Sequence, residues 1–398
     1  MCEIIPHAII TAKFHRREID ARIMAVYNCH ATPDLLPEIR LAFIRAWTGG
    51  DLEIMSREMR IEPDLSRRFV RDDVNPDYIV ASDTCYWIYE DCLKLRDYLR
   101  RRKDAVFIFL TRECFEPDMN LFDYAFTWNP DLICRDRIVH HFSELVSASN
   151  REILTNSFTI EQAREILSAS PKFCNFIYSH SSEPRDSFFH LLSQYKRVAS
   201  LGRHLNNVDT RFSRFDSDWY NLSIRMKEGY KFSIAMENAS CKGYTTEKII
   251  SSLQAHTVPI YWGDPAVAEF INPKAFINCG NYSSFDEVIE RVKEIDNDDD
   301  LWLDMVTQPW QTEEQRTRLA HDIEKYDAQV RGIFTQDISK AHRRATGTWP
   351  GLLQGGFTGV VGIMPPLYIR ALRETKRRAG KILPYKAKLA VKRFLHMD

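Results

Sequence analysis

The chain of 398 residues is 44% hydrophobic and 27% charged, which excludes a disordered or fibrous protein and leaves room for two domains with substantial cores. A formal net charge of −1 excludes a polyanion as the default partner, so no nucleic acid is expected. No window approaches the ~20 apolar residues of a membrane span, and the opening stretch MCEIIPHAIITAKFHRREID lacks the apolar run of a signal peptide, so the expectation is a cytoplasmic protein. In chain order, residues 22–28 (RIMAVYN) read as a first strand, and Pro37 followed by EIRLAFIRAW reads as a helix with proline in its first turn. Residues 77–82 (DYIVAS) form a second short strand, residues 89–102 a helix ending in basic residues, and 105–110 (AVFIFL) a strand apolar enough to be buried on both faces of a parallel sheet. Another strand is expected at 123–128 (DYAFTW).

A second series follows. Helices are predicted at 161–168, 185–196, 246–256 and 285–295, with strands at 173–179, 230–236, 258–262 and 276–278. The charged stretch 313–342 reads as a helix lying on the surface. This alternation argues for doubly wound α/β architecture in two halves, residues 1–160 and 161–345, with a distinct tail at 346–398. Two Rossmann-like domains facing a cleft, the GT-B arrangement of sugar-nucleotide transferases, fit the pattern; so do two unrelated α/β domains. The nine cysteines are scattered without CxxC spacing or a nearby histidine, which argues against zinc and for reduced thiols.

The stretch 230–265 (YKFSIAMENASCKGYTTEKIISSLQAHTVPIYWGDP), continued by FINPKAFI, resembles the signature of the α1,3/4-fucosyltransferases, glycosyltransferase family 10, and of its soluble bacterial branch in particular. The TREC and NLFDYAFTW segments within 105–128 and the segment 172–207 resemble further blocks of that family. The likeness implies a GT-B fold and an inverting transfer of L-fucose from GDP-β-L-fucose to a GlcNAc-containing glycan acceptor such as N-acetyllactosamine. It leaves the linkage at O3 or O4 open, and it names lipopolysaccharide as the expected carrier of the acceptor.

Such a transfer needs a base for the acceptor hydroxyl, a stabiliser for the departing diphosphate, and a grip on the donor. The resemblance places the base at Glu113, which stands ten positions before Asp123 as in the family and directly follows an apolar strand, where α/β sheets set their sites. Glu116 is the alternative. Arg112 and Cys114 depart from the family's glycine and asparagine there; Arg112 would either hold the base's pKa low or point toward an anionic acceptor or the diphosphate. Lys248 and Arg203 match the family's positive pair for the diphosphate. The helix starting near Thr246 would add free backbone N–H groups, with Thr245 or Thr246 as its cap. Glu247 is expected on sugar hydroxyls, Tyr244 on the nucleotide, and Glu237 and Asn238 in shaping the donor pocket. Asp123 and Tyr124 read equally as structural or functional. No metal site is visible and no cofactor is expected to be required, although Mn2+ or Mg2+ stimulation is compatible with this chemistry; the run at 298–300 reads as a solvated acidic surface.

Beyond 346 the composition changes. An apolar Gly/Pro-rich stretch leads to a segment in which Ala387, Ala390, Val391, Phe394 and Leu395 recur at helical spacing with lysines and arginines on the other face. It reads as a basic amphipathic helix on an anionic membrane surface, which would place the protein at the inner face of the cytoplasmic membrane; a helix docked on the protein or a frayed tail fits the same residues. Two rival functions remain at this level: a GT-B transferase for another nucleotide sugar, and a non-catalytic sugar-nucleotide-binding protein.

Overall fold

The computed structural model describes residues 37–45, 51–140, 156–208 and 218–344, which are organised around two parallel sheets. The first holds β1 (Ile39–Ile44), β2 (Phe69–Arg71), β3 (Tyr78–Ala81), β4 (Val106–Leu110), β5 (Tyr124–Thr127) and β6 (Ile138–His140), in the order β2-β1-β3-β4-β5-β6. The second holds β7 (Lys172–Phe176), β8 (Val198–Ser200), β9 (Tyr230–Met236), β10 (Val258–Trp262) and β11 (Ile277–Asn278), in the order β11-β10-β9-β7-β8. Every pairing is parallel, as expected when helices form the crossovers. The doubly wound α/β architecture expected from the sequence is therefore present in both halves.

Alternation along the strands feeds two cores per sheet. In the first, Leu41, Val80, Ile108 and Phe126 pack on one face with Met55 and Met59 of α1 (Leu52–Glu58). Ala42, Ile79, Phe107 and Ala125 pack on the other with Leu95 and Tyr98 of α2 (Tyr89–Arg101). In the second sheet, one core joins the strands to α4 (Glu183–Tyr195), α7 (Phe285–Asn297) and α8 (Asp299–Val306), with α3 (Ile160–Ser168) at its margin. The opposite core receives Ile249, Ile250 and Leu253 of α6 (Glu247–Gln254), which packs against α5 (Trp219–Lys227).

Two expectations change. Residues after Pro37 form β1, not a helix. The LAFI run is apolar on every side, which suits a helix and a central strand equally; seated between β2 and β3, it buries Leu41 and Phe43 on one face and Ala42 and Ile44 on the other. The acidic run at 298–300 is exposed, as expected, and two of its members have local partners: Asp298 caps α8 by accepting from the Asp300 and Leu301 amides, and Asp299 pairs with Lys231 at 3.0 Å. The helix α9 (Glu313–Thr335) does not merely lie on the surface. Leu319 and Ile323 enter the core of the second sheet, and Tyr326, Val330, Ile333 and Phe334, continuing the same stripe, enter that of the first.

The segment after α9 stays on the first sheet. Asp123 is fully buried and accepts from the Phe107 amide at 2.7 Å, the Arg344 amide and Arg344 Nη1 at 2.7 Å. Tyr124 Oη donates to Gln336 Oε1 and accepts from the His342 amide, both at 3.1 Å. Both residues are thus structural. The strand expected at 22–28 and the basic tail lie outside the described residues.

Candidate functional site

The strands of both sheets run toward a shared cleft, and the loops at their C-terminal ends line a cavity of about 420 Å³. In the second sheet this is the point where the strand order reverses, between β7 and β9, the place where doubly wound sheets leave a crevice.

From the first sheet, β4 delivers Arg112 and Glu113 to the cavity. The turn after Leu110 is fixed by buried Thr111, whose Oγ1 accepts from the Glu113 amide at 3.0 Å and lies 3.3 Å from Asp83 Oδ1. The Glu113 side chain is exposed to the cleft and accepts from Tyr244 Oη of the opposite half at 3.3 Å. Glu116, the alternative base, is outside the lining and accepts from Asn129 Nδ2 at 2.8 Å.

From the second sheet, β9 ends at Met236 and the next residue, Glu237, is 0% exposed. Its carboxylate accepts from the Thr246 amide at 2.8 Å, from Thr246 Oγ1 at 2.7 Å and from Lys248 Nζ at 2.9 Å. Burial pushes the Glu237 carboxyl up, while Lys248 pulls it back. Burial alone would depress Lys248, but Glu237 and Glu247 outweigh it and hold the ammonium above its ordinary range. Glu247 Oε1 lies 3.7 Å from Lys248 Nζ. Burial raises the Glu247 carboxyl, yet Lys248, a backbone amide and, further off, Arg112 and Lys227 bring it below the usual range. Thr246 occupies the N-cap position of α6 but makes no side-chain cap, because its hydroxyl is spent on Glu237; the helix start is left open toward the cavity.

The loop 241–246 carries this helix start against the first half. Lys242 Nζ pairs with Asp131 at 2.7 Å, and the thiols of Cys114 and Cys241 share a hydrogen bond across the cleft. The ring of Tyr244 meets Trp128 edge-on with centroids 5.1 Å apart. Gly243 has φ +82°, and a Cβ there would stand 2.2 Å from the Trp128 carbonyl oxygen, so glycine is required twice over.

Of the residues predicted for the site, Glu113, Asn238, Tyr244, Thr246, Glu247 and Lys248 line one cavity. Glu237 lies beneath it as the residue that fixes Thr246 and Lys248. Thr245 does not line the cavity: it is buried and its hydroxyl donates to Asp264 Oδ2 at 2.8 Å. Arg203 does not line it either. Its exposed guanidinium reaches the rim only through the Ser179 carbonyl, at 3.4 Å. Arg112 lines the cavity, and its charge helps to hold the Glu247 carboxyl low.

Two lining cations were not anticipated. Arg185, in the first turn of α4 after β7, is 4% exposed; it donates to Asn238 Oδ1 and to the His180 carbonyl, both at 2.9 Å. Burial pulls its guanidinium down, and the neighbouring Asp186, Tyr178 and Glu237 oppose that. Its signal was positional: an arginine opening a helix just beyond an apolar strand. Lys227, at the end of α5, is 6% exposed, and burial brings its amine down to about 7. A lysine in the last turn of a helix reads as a solvated charge, so the sequence carried no cue. Chemically, the cavity offers cations and a helix start for an anion, a carboxylate for hydroxyls, and a cleft-facing carboxylate on the opposite wall.

Residues 172–329 match the family model of "Glycosyltransferase family 10 (fucosyltransferase) C-term". The chain is 29% identical over 235 residues to "Alpha-(1,3)-fucosyltransferase FucT" of Helicobacter pylori, covering 51% of this chain and 47% of that protein. It is 33% identical over 129 residues to "GDP-fucose protein O-fucosyltransferase 3" of Xenopus tropicalis, covering 31% and 26%. The chain thus spans about half or less of the length of the curated relatives it matches. Its fold superposes on the crystal structure of an α1,3-fucosyltransferase with GDP-fucose at a TM-score of 0.57, with 21% identity, covering 77% of this chain and 93% of that one.

Proposed function

We propose, from the premise that residues 172–329 are a glycosyltransferase family 10 C-terminal domain, that the whole chain transfers L-fucose from GDP-β-L-fucose to a glycan hydroxyl with inversion. The observation that carries this is the meeting, in one cavity, of Glu113 from the first sheet with Lys248, Arg185 and Glu247 from the second. Lys248, Arg185 and the open start of α6 take the diphosphate; one cation at ~4 Å from a phosphate oxygen contributes about 4 kcal/mol at an effective dielectric of 20. Glu247 accepts from sugar hydroxyls of the donor. Glu113 removes the acceptor proton as its oxygen attacks the anomeric carbon opposite the departing GDP, giving an α-fucoside without a covalent intermediate. These cations supply the neutralising charge, so no resident metal is required, with Mn2+ or Mg2+ at most stimulating.

The acceptor is a GlcNAc-containing glycan of the N-acetyllactosamine type, fucosylated at O3 or O4. One relative is named for an α-(1,3) linkage and another for O-fucosylation of protein, while the matched segment holds the second-sheet half of the cavity; likeness in that segment therefore supports the donor more directly than the acceptor. The basic tail would hold the enzyme at the anionic inner face of the cytoplasmic membrane.

The test is GDP release from GDP-fucose with N-acetyllactosamine and related acceptors. Wild type should release GDP only with acceptor. Glu113→Gln should lose roughly 10²- to 10⁴-fold in kcat while still binding GDP-fucose. Unimpaired turnover in the variant would move the base elsewhere. Donor binding without turnover on any acceptor would favour a binding protein.

A further inference from the structure

We propose that Lys227 reads the base of the bound nucleotide, donating to the acceptor edge of guanine and so selecting a guanine over an adenine nucleotide. This rests on the reading of the cavity as a nucleotide-sugar site and adds to it the residue that chooses the nucleobase.

The argument begins with an amine out of place. Lys227 Nζ donates to Ser251 Oγ at 2.5 Å and to Ser252 Oγ at 3.3 Å. Among the described residues its hydrogen-bond partners are thus two neutral hydroxyls, although an ammonium carries three donors. A lysine buried without a paired carboxylate is costly, and burial accordingly lowers its proton affinity to about 7. The charged groups that act on it are Glu247, which favours its charge, and Lys248, which opposes it, both on α6; on its own helix Arg225 is turned away onto Asp218 at 2.9 Å. A group kept at such cost on a cavity wall calls for a ligand that completes it.

Its position says which part of the ligand. Arg185 lies near enough to Lys248 for their charges to oppose each other, and with the open start of α6 they mark the phosphate end. Glu247, the residue before Lys248, shares that first turn, its Oε1 3.7 Å from Lys248 Nζ. Ser251 is four residues, or ~6 Å, further along the helix axis, and Lys227 is anchored to it. A nucleoside diphosphate laid along this helix places phosphate at Lys248, ribose hydroxyls at Glu247, and the base at Lys227. Trp219, from the first turn of α5, brings aromatic surface to the cavity, as a stacked base requires. Guanine offers O6 and N7, both acceptors; adenine offers N7 beside an N6 amino donor. Lysine has donors only, so it suits the first edge and clashes with the second.

The experiment is calorimetric titration of the full chain and of Lys227→Met with GDP, IDP, ADP and pyrophosphate. IDP keeps O6 and N7 but lacks the 2-amino group. Wild type should bind GDP and IDP alike, and ADP at least tenfold more weakly. The variant should lose roughly 10- to 100-fold for GDP and IDP while ADP and pyrophosphate stay unchanged. A variant that weakens all four ligands equally would make Lys227 a phosphate contact, and one that keeps the GDP preference would put base reading elsewhere; either overturns the inference. Wild type that binds none of them would overturn the donor-site reading itself, and this with it. Lys227→Met removes a buried charge, so its fold should persist; an unaltered far-UV CD spectrum of the variant confirms that the loss belongs to the site.

Discussion

Glu237 is fully buried and does not line the cavity, yet the cavity depends on it. With its carboxylate bound to the Thr246 amide, the Thr246 hydroxyl and Lys248, it fixes both the helix start and the cation that faces the donor. Removing the carboxylate would leave Lys248 tethered only by Thr246 Oγ1 at 2.8 Å and the more distant Glu247. Lys227 gives the complementary case of a charge with too little support, and this has a consequence for stability against pH. Its folded-state pKa, about 7, is below the unfolded value of roughly 10.4, so between these limits the unfolded chain binds more protons and stability rises with pH. The penalty is absent above about pH 10.4, grows as pH falls toward 7, and is constant below. Denaturant titrations of ligand-free protein should therefore give a higher unfolding free energy at pH 9 than at pH 7. The difference should shrink in Lys227→Met; an equal slope in both proteins would assign the effect to other groups.

At the scale of elements, the loop 241–246 is what makes two sheets into one site. It brings Tyr244 to Glu113, Cys241 to Cys114 and Lys242 to Asp131. Gly243→Ala would put a methyl against the Trp128 carbonyl and force an L-residue into left-handed backbone, at about 1–2 kcal/mol for the conformation alone. The expected result is a folded protein whose kcat/KM falls by on the order of 10²-fold, because the halves of the cavity no longer meet. Crystals or small-angle scattering showing an unchanged interface, together with full activity, would contradict this. The same loop shows where sequence reading succeeds and stops. β9, α6 and β10 were legible because YKFSIAM is buried throughout and VPIYW is buried up to half-buried Trp262, with an apolar-faced helix between them. β1 was not, since LAFI satisfies both periods and only its neighbours decide. β2, β6 and β8 are each three residues long, too short to show a period at all. Glu113 and Asn238, which follow apolar strands, line the cavity. Thr245 does not, because whether a hydroxyl faces the cavity or Asp264 depends on a residue nineteen positions away.

For the molecule as a whole, the described chain closes on itself: it leaves the first sheet, builds the second, and returns along α9 to end at Arg344 against Asp123. Arg344→Ala would strand a fully buried carboxylate and should cost about 3–5 kcal/mol in unfolding free energy, read by denaturant titration. Truncation after Arg344, by contrast, keeps that pair and should leave the melting temperature unchanged and kcat within about twofold while abolishing co-sedimentation with vesicles containing anionic lipid. Vesicle binding that survives truncation would remove the tail from the membrane contact. α9 also has a mechanical meaning. At 23 residues it is a rod of ~34 Å clamped at one end to each sheet. Two plates bolted to a common spar do not drift apart; they pivot about it or bend it. Any widening of the cleft therefore loads the spar between Ile323 and Tyr326, where its grip passes from one plate to the other.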